Sequence, residues 1–392
     1  MTYRFILAFL CLSAQLFAQE IPVGTWRTHL TYHNAQNVAV AGDKIYCASE
    51  NGLFYLDKAD NSLQTITTID GLSDIGIADL AYATAQSTLV IGYQNGNIDL
   101  IREDEIINIR TLLNSSRTNK GINSIQILGN LAIFSTNFGG VELDLNSLTI
   151  KDFYENIGGT ASQGFSTAAT ADSLYLATNL GVFGVSLASN VNKQDFNNWK
   201  SINGTQQARQ LASFNNKLYY SISGDGLYMY ENGQSEALRI GVGETHSRLV
   251  ATQSALYLCT PSQIYEISTD NSFSLLSDLA IVQPQDIAID GSQRWLADSE
   301  TGLVKYNEAG SEKFSPSGTF SQASFRMFSF QGKILAVAGG FNANLQAQNN
   351  PASFYIFENG RWQNFTSATN FIDATPLPSL SADCCEAHVQ LS

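Results

Sequence analysis

Histidines and acidic segments are the side chains in this sequence that could bind a metal ion or perform acid–base chemistry. The 4 histidines are scattered along the chain: His29, His33, His246 and His388. His29 and His33 are close in sequence, but in a predicted strand and loop their spacing does not place both on one face, as a zinc site requires. The acidic segments DKADNS and STDNSF lack the alternating oxygen ligands and the terminal Glu of a calcium loop. The sequence therefore predicts no metal site and no cofactor.

Two aspartates, Asp79 and Asp286, are the best candidates for catalysis because they occupy equivalent positions in a repeated unit. Such a pair could act as acid and base in a glycosidase, so a polysaccharide lyase or hydrolase is one alternative. A pair of carboxylates among seven equivalent positions is also expected by chance. The sequence has no G-x-S-x-G nucleophile elbow. It favours a protein that binds and scaffolds, with no catalytic residue.

The repeated unit consists of an apolar strand, a polar turn and a second, alternating strand. Its clearest copy is DGSQRWLADSETGLVKYN, residues 290–307, and six earlier stretches are similar to it. Glycine is expected at the turn because the reversing chain needs a positive φ. The turn positions are Gly52, Gly96, Gly140, Gly181, Gly226, Gln263 and Gly302. Their mean spacing of about 42 residues predicts an all-β fold, a seven-bladed β-propeller with four-stranded blades.

Each unit starts with an inner strand, and a polar residue precedes the turn position by roughly 14 to 17 residues in every copy. These residues are Asn37, Asp79, Ser124, Thr167, Gln210, Arg248 and Asp286. If the inner strands line the axis, the seven side chains form a polar ring at one mouth of the channel and are a candidate ligand or partner face. The alternative is that strand entries are polar simply because they face water.

The connections between units are long, polar and rich in glycine, which is typical of contact loops. Arg117 and Lys120 in LNSSRTNKG stand out in a chain of net charge −14. They could contact an anionic glycan or phosphate, or they could be ordinary solvated charges. An acidic chain repels phosphate backbones, so nucleic acid is not an expected partner.

The N-terminal segment differs in kind from the repeats. Arg4, the apolar run from Phe5 to Leu12 and then Ala18 are typical of a secretory signal peptide over residues 1–18. The run is too short to span a bilayer, and no other segment is long enough, so the mature chain is expected in the periplasm or at the cell surface. Of the remaining cysteines, Cys47 and Cys259 are expected to be small buried hydrophobes.

Residues 19–320 are predicted to form the propeller. Trp26 and Leu30 mark an N-terminal strand of the outer type, which is expected to complete the last blade and close the ring. An eighth unit begins at Phe325, so residues 321–380 are expected to start a second, truncated propeller or to form an extra blade. Residues 381–392, which include Cys384 and Cys385, fit no repeat and form an aberrant tail. The sequence is then expected to be a fragment of a longer protein.

Two stretches resemble known propeller families. The unit DGSQRWLADSETGLVKYN and the link IDGLSDIGIADL resemble the repeats of the two-component-regulator propeller family. The opening IPVGTWRTHLTYHNAQNVAV, followed by GDKIYCASENGLFYLD, is similar to the N-terminal propeller of the PorZ family of type IX secretion system surface components. The similarity extends over most of the chain after the signal peptide.

The resemblance to the PorZ family implies a non-enzymatic, outer-membrane-associated cell-surface protein with two propellers and a C-terminal sorting domain. The implied partners are a sortase-like peptidase and outer-membrane proteins of an attachment complex, which anchors secreted cargo to anionic lipopolysaccharide. The sequence ends before the sorting domain, which leaves surface delivery of this polypeptide open. The alternative is the extracellular glycan-sensing propeller of a hybrid two-component regulator, which would continue into a membrane helix and a kinase.

Overall fold

The computed structural model describes residues 28–366, except for residues 51, 308, 343 and 351–352. The predicted signal peptide, Trp26 and the tail with Cys384 and Cys385 lie outside the described residues. Within the described part of the chain, no helix has both the length and the apolar character needed to cross a bilayer.

The described residues form 32 strands in eight antiparallel sheets of four strands each, and strands that are consecutive in sequence are neighbours in every sheet. Sheet 1 contains β1 (Ala35–Ala41), β2 (Lys44–Ser49), β3 (Leu53–Asp57) and β4 (Leu63–Ile66), and sheet 2 contains β5 (Ile77–Ala83), β6 (Thr88–Tyr93), β7 (Ile98–Arg102) and β8 (Glu105–Asn108). Sheet 3 contains β9 (Ile122–Leu128), β10 (Leu131–Thr136), β11 (Gly139–Asp144) and β12 (Thr149–Glu155), and sheet 4 contains β13 (Gly164–Ala169), β14 (Ser173–Thr178), β15 (Gly181–Ser186) and β16 (Lys200–Ser201). Sheet 5 contains β17 (Gln210–Phe214), β18 (Lys217–Ile222), β19 (Gly226–Glu231) and β20 (Gln234–Ala237), and sheet 6 contains β21 (Arg248–Ala251), β22 (Leu256–Cys259), β23 (Ile264–Ile267) and β24 (Phe273–Leu276). Sheet 7 contains β25 (Pro284–Asp290), β26 (Gln293–Asp298), β27 (Gly302–Asn307) and β28 (Gly310–Phe314), and sheet 8 contains β29 (Arg326–Phe330), β30 (Lys333–Val337), β31 (Ser353–Glu358) and β32 (Arg361–Thr366).

The second and third strands of most of the first seven sheets are largely buried, because an apolar sheet face lies against each of them from both sides. The strand β6, TLVIGY, is buried along its whole length. Its residues Leu89 and Ile91 pack towards sheet 1, whereas Val90 packs towards sheet 3. The alternation of a strand therefore supplies two interfaces, one on each face of the sheet. The sheets are arranged face to face, as in β-propeller blades.

Clusters of buried apolar side chains fill the spaces between successive sheets from 1 to 7. A further cluster lies between sheet 7 and sheet 1, where Trp295 and Leu303 pack with Ile45 and Phe54. The inner strands β25 and β1 are in contact, as are the inner strands of each consecutive pair of sheets in this series. Lys58 of sheet 1 also forms an ion pair with Asp290 of sheet 7, with Nζ and Oδ2 2.9 Å apart. The first and seventh sheets are therefore neighbours.

The prediction that an N-terminal strand completes the last blade is wrong. Sheet 7 has its own outer strand, β28, and the described residues 28–34 form no strand. The segment instead seals the joint between sheets 7 and 1, where the Tyr32 ring packs edge-on against Phe54 at 5.8 Å between ring centroids. The pattern GSEKF after Asn307 forms the outer strand locally, so no strand is needed from the start of the chain.

The predicted positive φ at the turn glycines is confirmed at Gly96, Gly181, Gly226 and Gly302. In sheet 3 it is Gly139, not Gly140, that begins the third strand with a φ of 133°. A Cβ at Gly181 would lie 2.2 Å from the carbonyl oxygen of Gly204, so this turn excludes a side chain as well as requiring the unusual backbone. Cys47 and Cys259 are free and buried within their strands, as predicted.

Sheet 8 has the same four-stranded order as the other sheets, but its inner strand is exposed to solvent. Every residue of its inner strand β29 is exposed, including Met327, Phe328 and Phe330. Sheet 8 contacts the rest of the chain near residues 28–33, where the Trp362 indole Nε1 donates a hydrogen bond to Nδ1 of His29 at 2.9 Å. The apolar residues on β29 are therefore not covered by any described part of the chain.

Candidate functional site at the channel mouth

The seven predicted polar residues all lie on the inner strands β1, β5, β9, β13, β17, β21 and β25. The structure brings four of them together in one hydrogen-bonded network: Asn37, Asp79, Arg248 and Asp286. Asp79 and Asp286 are almost completely buried, so these two carboxyl groups do not face water. The alternative that these positions are polar because they are wet therefore does not apply to the two aspartates.

Arg248 is the centre of this network. Its Nη2 atom lies 2.8 Å from Oδ1 of Asp79, and its Nε atom lies 3.3 Å from Oδ1 of Asp286. Asn37 donates from Nδ2 to the same oxygen of Asp79 at 3.2 Å. One guanidinium thus joins sheets 6, 2 and 7, and the planar fork of arginine suits this role because it presents several donors in fixed directions.

Both aspartates also accept hydrogen bonds from backbone amides of neighbouring sheets. Asp79 accepts from its own neighbour Leu80 at 2.9 Å and from Ile125 of sheet 3 at 2.7 Å. Asp286 accepts from Ile287 at 2.9 Å and from Val38 of sheet 1 at 3.1 Å. Each carboxylate therefore links its own inner strand to the next one, and the bond from Val38 to Asp286 crosses the joint between sheets 1 and 7.

Burial is the largest single influence on the pKa values of Asp286 and Arg248. It raises the pKa of Asp286 to about 6, and the neighbouring Asp79 carboxylate adds to the shift, whereas Arg248 opposes it. Burial disfavours the charged form of Arg248, but the two aspartates outweigh this effect and hold its pKa above the ordinary value. The arginine therefore stays protonated, and the pKa of Asp286 lies closer to neutral pH than that of an exposed aspartate.

Arg248 and Gln210 separate two cavities along the axis. On one side, a cavity of about 380 Å³ is lined by the inner strands of sheets 3 to 6, including Ser124 and Thr167. The hydroxyl groups of these two residues are buried and have no hydrogen-bond partner in the described part of the chain. On the other side, a cavity of about 690 Å³ opens at the loops, and we call it the mouth cavity. Of the seven predicted positions, Asn37, Gln210 and Arg248 therefore line the mouth cavity, and Ser124 and Thr167 line the cavity below it.

The mouth cavity is lined mainly by carboxamide side chains, and bulges in the inner strands place several of them. In sheets 1, 2, 3 and 7, the pairing of the inner strand with the second strand skips one residue, immediately before the predicted polar residue of that inner strand. The skipped residues Gln36, Ala78, Asn123 and Gln285 all line the mouth cavity. A bulge leaves its extra residue out of the ladder and re-aims its side chain, which explains why these residues turn towards the mouth.

A second set of lining residues comes from the hairpin turns. Glu50, Gln94 and Asn137 each stand two residues before a turn glycine and line the mouth cavity. The backbone N–H of Gln94 donates to Gly76 O at 3.0 Å, and that of Asn137 donates to Gly121 O at 2.9 Å. These bonds hold the turn beside the entry of its own inner strand. The repeated position before the turn was the sequence signal that could have identified this set.

Arg117 and Lys120 make contacts within their own region of the protein. The Arg117 guanidinium pairs with Glu155 and lies 3.8 Å from the ring centroid of Phe153. Lys120 Nζ donates to the carbonyl oxygens of Leu113 and Ser115, the latter at 2.9 Å. Both side chains are partly buried, and neither lines the mouth cavity.

The histidines of the described region have separate, structural environments. His33 stacks on Phe320 with ring centroids 4.2 Å apart, and burial lowers its pKa. His246 is buried beside the carbonyl oxygen of Gly241, 2.9 Å from its Nε2 atom. His388 lies outside the described residues. Among those that the structure describes, no group of three His, Cys, Asp or Glu side chains is placed to hold a metal ion.

Comparison with known proteins shows which family this chain resembles. Residues 45–200 match the family model described as "TSS9, PorZ, N-terminal beta-propeller domain". The resemblance to PorZ is confirmed. Among solved structures, PorZ from Porphyromonas gingivalis matches with a TM-score of 0.75 and 22% sequence identity, over 88% of this chain and 46% of PorZ. The chain therefore spans about half the length of that protein, which is described as an essential surface component of the type IX secretion system.

Two more distant structures share the fold alone. Virginiamycin B lyase from Staphylococcus aureus matches with a TM-score of 0.57 and 12% identity, over 71% of this chain and 97% of the lyase. The β-propeller domain of Cps50 (Swd1) from Myceliophteria thermophila matches with a TM-score of 0.54 and 10% identity, over 72% of this chain and 98% of that domain. No curated protein sequence matches the chain. At these sequence identities, the two matches show a shared fold and do not indicate what this chain binds or whether it is an enzyme.

Proposed function

We propose that the chain provides the N-terminal propeller region of a type IX secretion system surface component, and that it binds partners and does not catalyse a reaction. The observation that carries the proposal is the match of residues 45–200 to the PorZ propeller family, supported by the structural similarity to PorZ over most of the chain. The engagement of Asp79 and Asp286 with one arginine and with backbone amides agrees with a structural role for both carboxylates.

The proposed domain organisation has a signal peptide at residues 1–18, a seven-bladed propeller at residues 19–320 and the start of a second propeller or an extra blade at residues 321–380, followed by the tail at residues 381–392. The core cluster between sheets 7 and 1 supports a ring of seven. The exposure of Met327 and Phe330 on β29 supports a further blade packed against sheet 8. A second propeller would supply such a blade, because a single sheet cannot bury its own apolar faces.

The proposed setting is the outer membrane at the cell surface, after export by the signal peptide. There, the protein would assist a sortase-like peptidase and outer-membrane proteins in attaching secreted cargo to anionic lipopolysaccharide. The test is deletion of the gene in the bacterium of origin, with the cargo of the secretion system measured on cells and in the medium. The proposal expects cargo to be lost from the cell surface. Unchanged surface attachment would contradict it.

Direct binding of anionic lipopolysaccharide is proposed to involve the loop of Arg117 and Lys120. The double variant Arg117→Glu with Lys120→Glu is expected to weaken binding of purified lipopolysaccharide at least tenfold, measured by surface plasmon resonance. The matched control is Lys200→Glu with Lys313→Glu, which changes the total charge equally at two exposed positions on other sheets.

The control separates local contacts from a general charge effect, because long-range attraction depends on net charge. Equal loss in both double variants would assign the effect to net charge and remove this loop as the site. Since Arg117 also pairs with Glu155, the milder variant Lys120→Gln tests the same loop without breaking that ion pair.

A further inference from the structure

We infer that the mouth cavity is a binding site for an uncharged, hydroxyl-rich ligand of the neutral sugar class. The inference is independent of the secretion-system proposal, because it rests only on the side chains around the cavity. Carboxamides predominate in the lining: Asn34, Gln36, Asn37, Gln94, Asn123, Asn137, Gln210 and Gln285.

The chemistry of the lining selects the ligand class. A carboxamide both donates and accepts hydrogen bonds, as does a hydroxyl group, so a surface of carboxamides can pair with a ligand that carries several hydroxyls. Most pockets for small molecules are lined by apolar and aromatic side chains. Among the described residues that line the mouth cavity, none is aromatic, and Ile77 and Ala78 are the only apolar ones. An apolar ligand would therefore leave many polar groups without partners.

The floor of the cavity offers unused donors and acceptors. Asn37 is 7% exposed, and its Oδ1 atom has no hydrogen-bond partner in the described part of the chain. Arg248 uses Nη2 and Nε for its contacts with Asp79 and Asp286, and its Nη1 group makes no hydrogen bond to the residues that the structure describes. Asn37 and Arg248 contact the same oxygen of Asp79, so the free acceptor and the free donor belong to adjacent side chains. Each of these two groups can pair with a hydroxyl group that reaches the floor of the cavity.

Some side chains in the wall of the mouth cavity are held by hydrogen bonds within the protein, whereas others make none to the described residues. Asn123 donates to Asn137 Oδ1 at 3.0 Å and to Gly164 O at 2.7 Å, so its position is set by the protein. The side chains of Gln94 and Gln210 make no hydrogen bond within the described ranges, although both line the cavity. The site thus combines oriented amides with two glutamines that are available to a ligand.

The charge balance of the site argues against an ionic ligand. The positive charge of Arg248 is already matched by two carboxylates, and the other charged side chain among the described lining residues is Glu50. An anion would meet excess negative charge, and a cation would have Glu50 as its partner in the described lining, because both aspartates are already engaged with Arg248 and with backbone amides. An extended peptide would need apolar subsites for its side chains, which the lining lacks. A neutral polyol fits the site best.

The test is saturation-transfer difference NMR on the whole chain with methyl glycosides of mannose, glucose and galactose as neutral probes. Methyl glucuronoside, glucosamine and the neutral peptide N-acetyl-Ala-Ala-amide serve as comparison probes. We expect saturation of at least one neutral glycoside and at least tenfold weaker binding of the charged sugars and of the peptide. No transfer to any neutral glycoside, or equal binding of the glucuronoside or the peptide, would overturn the inference.

The site is localised with the double variant Gln94→Ala and Gln210→Ala, which removes two side chains that have no protein partner. We expect its dissociation constant for the bound glycoside to rise at least fivefold. The matched control is Gln64→Ala with Gln234→Ala, which removes two exposed glutamines from the outer strands β4 and β20. Gln94→Ala alone, at an exposed position, should shift affinity in the same direction. Equal affinity of the double variant and the wild type would place the ligand elsewhere and contradict the assignment.

Discussion

Sheets 1 and 8 have the same strand order, but they differ in what covers them. In β1, five of seven residues are buried, because sheets 2 and 7 pack against its two faces. In β29, all five residues are exposed. The two strands show that the four-stranded pattern is local, whereas burial depends on neighbours on both sides. A blade obtains most of its stability from the sheets beside it, as in other repeat proteins.

The largest difference between a covered sheet and sheet 8 is expected at the first residue of the inner strand, which is Arg248 in sheet 6 and Arg326 in sheet 8. Arg248→Met leaves the buried carboxylates of Asp79 and Asp286 without their partner and should lower the free energy of unfolding by about 3–5 kcal/mol. The matched control is Arg326→Met, at the first residue of β29, where the side chain is exposed. It should change stability by about 0.5 kcal/mol or less. Urea denaturation measures both, and equal effects would contradict a structural role for the network.

The second comparison uses two isoleucines at the same place in their strands. Ile45 follows Lys44 in β2 and is completely buried, whereas Ile334 follows Lys333 in β30 and is 38% exposed. Ile45→Ala should cost about 2–5 kcal/mol because it opens a cavity in a packed core. Ile334→Ala should cost about 1 kcal/mol or less. If thermal unfolding shows the same loss for both, then sheet 8 is as well covered as sheet 1.

A smaller effect is expected from the pH dependence of stability. The folded-state pKa of Asp286 is about 6, above its unfolded value of about 3.9, so the folded state binds the proton more tightly. This contribution is fully present below the unfolded pKa and is lost as the pH rises through about 6. Relative to Asp286→Asn, the wild type should therefore lose about 2 kcal/mol of stability between pH 4 and pH 7. A difference between the two proteins that does not vary with pH would show that Asp286 is ionised throughout.

The sequence predicted the repeated strands and most of the turns because both follow from local patterns. Alternation identifies strands such as TLVIGY, and glycine marks the positions where φ is positive. The failure at the N-terminus has a different cause. Leu30 suggested an outer strand, but whether the last sheet needs a strand from elsewhere depends on whether its own unit supplies four, and β28 does so.

The candidate site was predictable in part. Its seven positions could be placed on the inner strands, but only the three-dimensional arrangement shows that Arg248 reaches Asp79 across the axis and Asp286 on the neighbouring sheet. The carboxamides at the rim were missed, because the bulges that turn Gln36 and Asn123 towards the mouth have no marker in a single sequence. Side-chain reach and strand irregularities are tertiary properties, so periodicity could not reveal them.

Native-state hydrogen exchange on the whole chain tests most directly the claim that blades are stabilised by their neighbours. The amides of β2 and β6 should exchange only through global unfolding, because these strands are covered on both faces. The amides of β30 should exchange by local opening, at least about 100-fold faster. Equal protection of β30 and β6 would contradict the account, because sheet 8 would then be stable without a second neighbour.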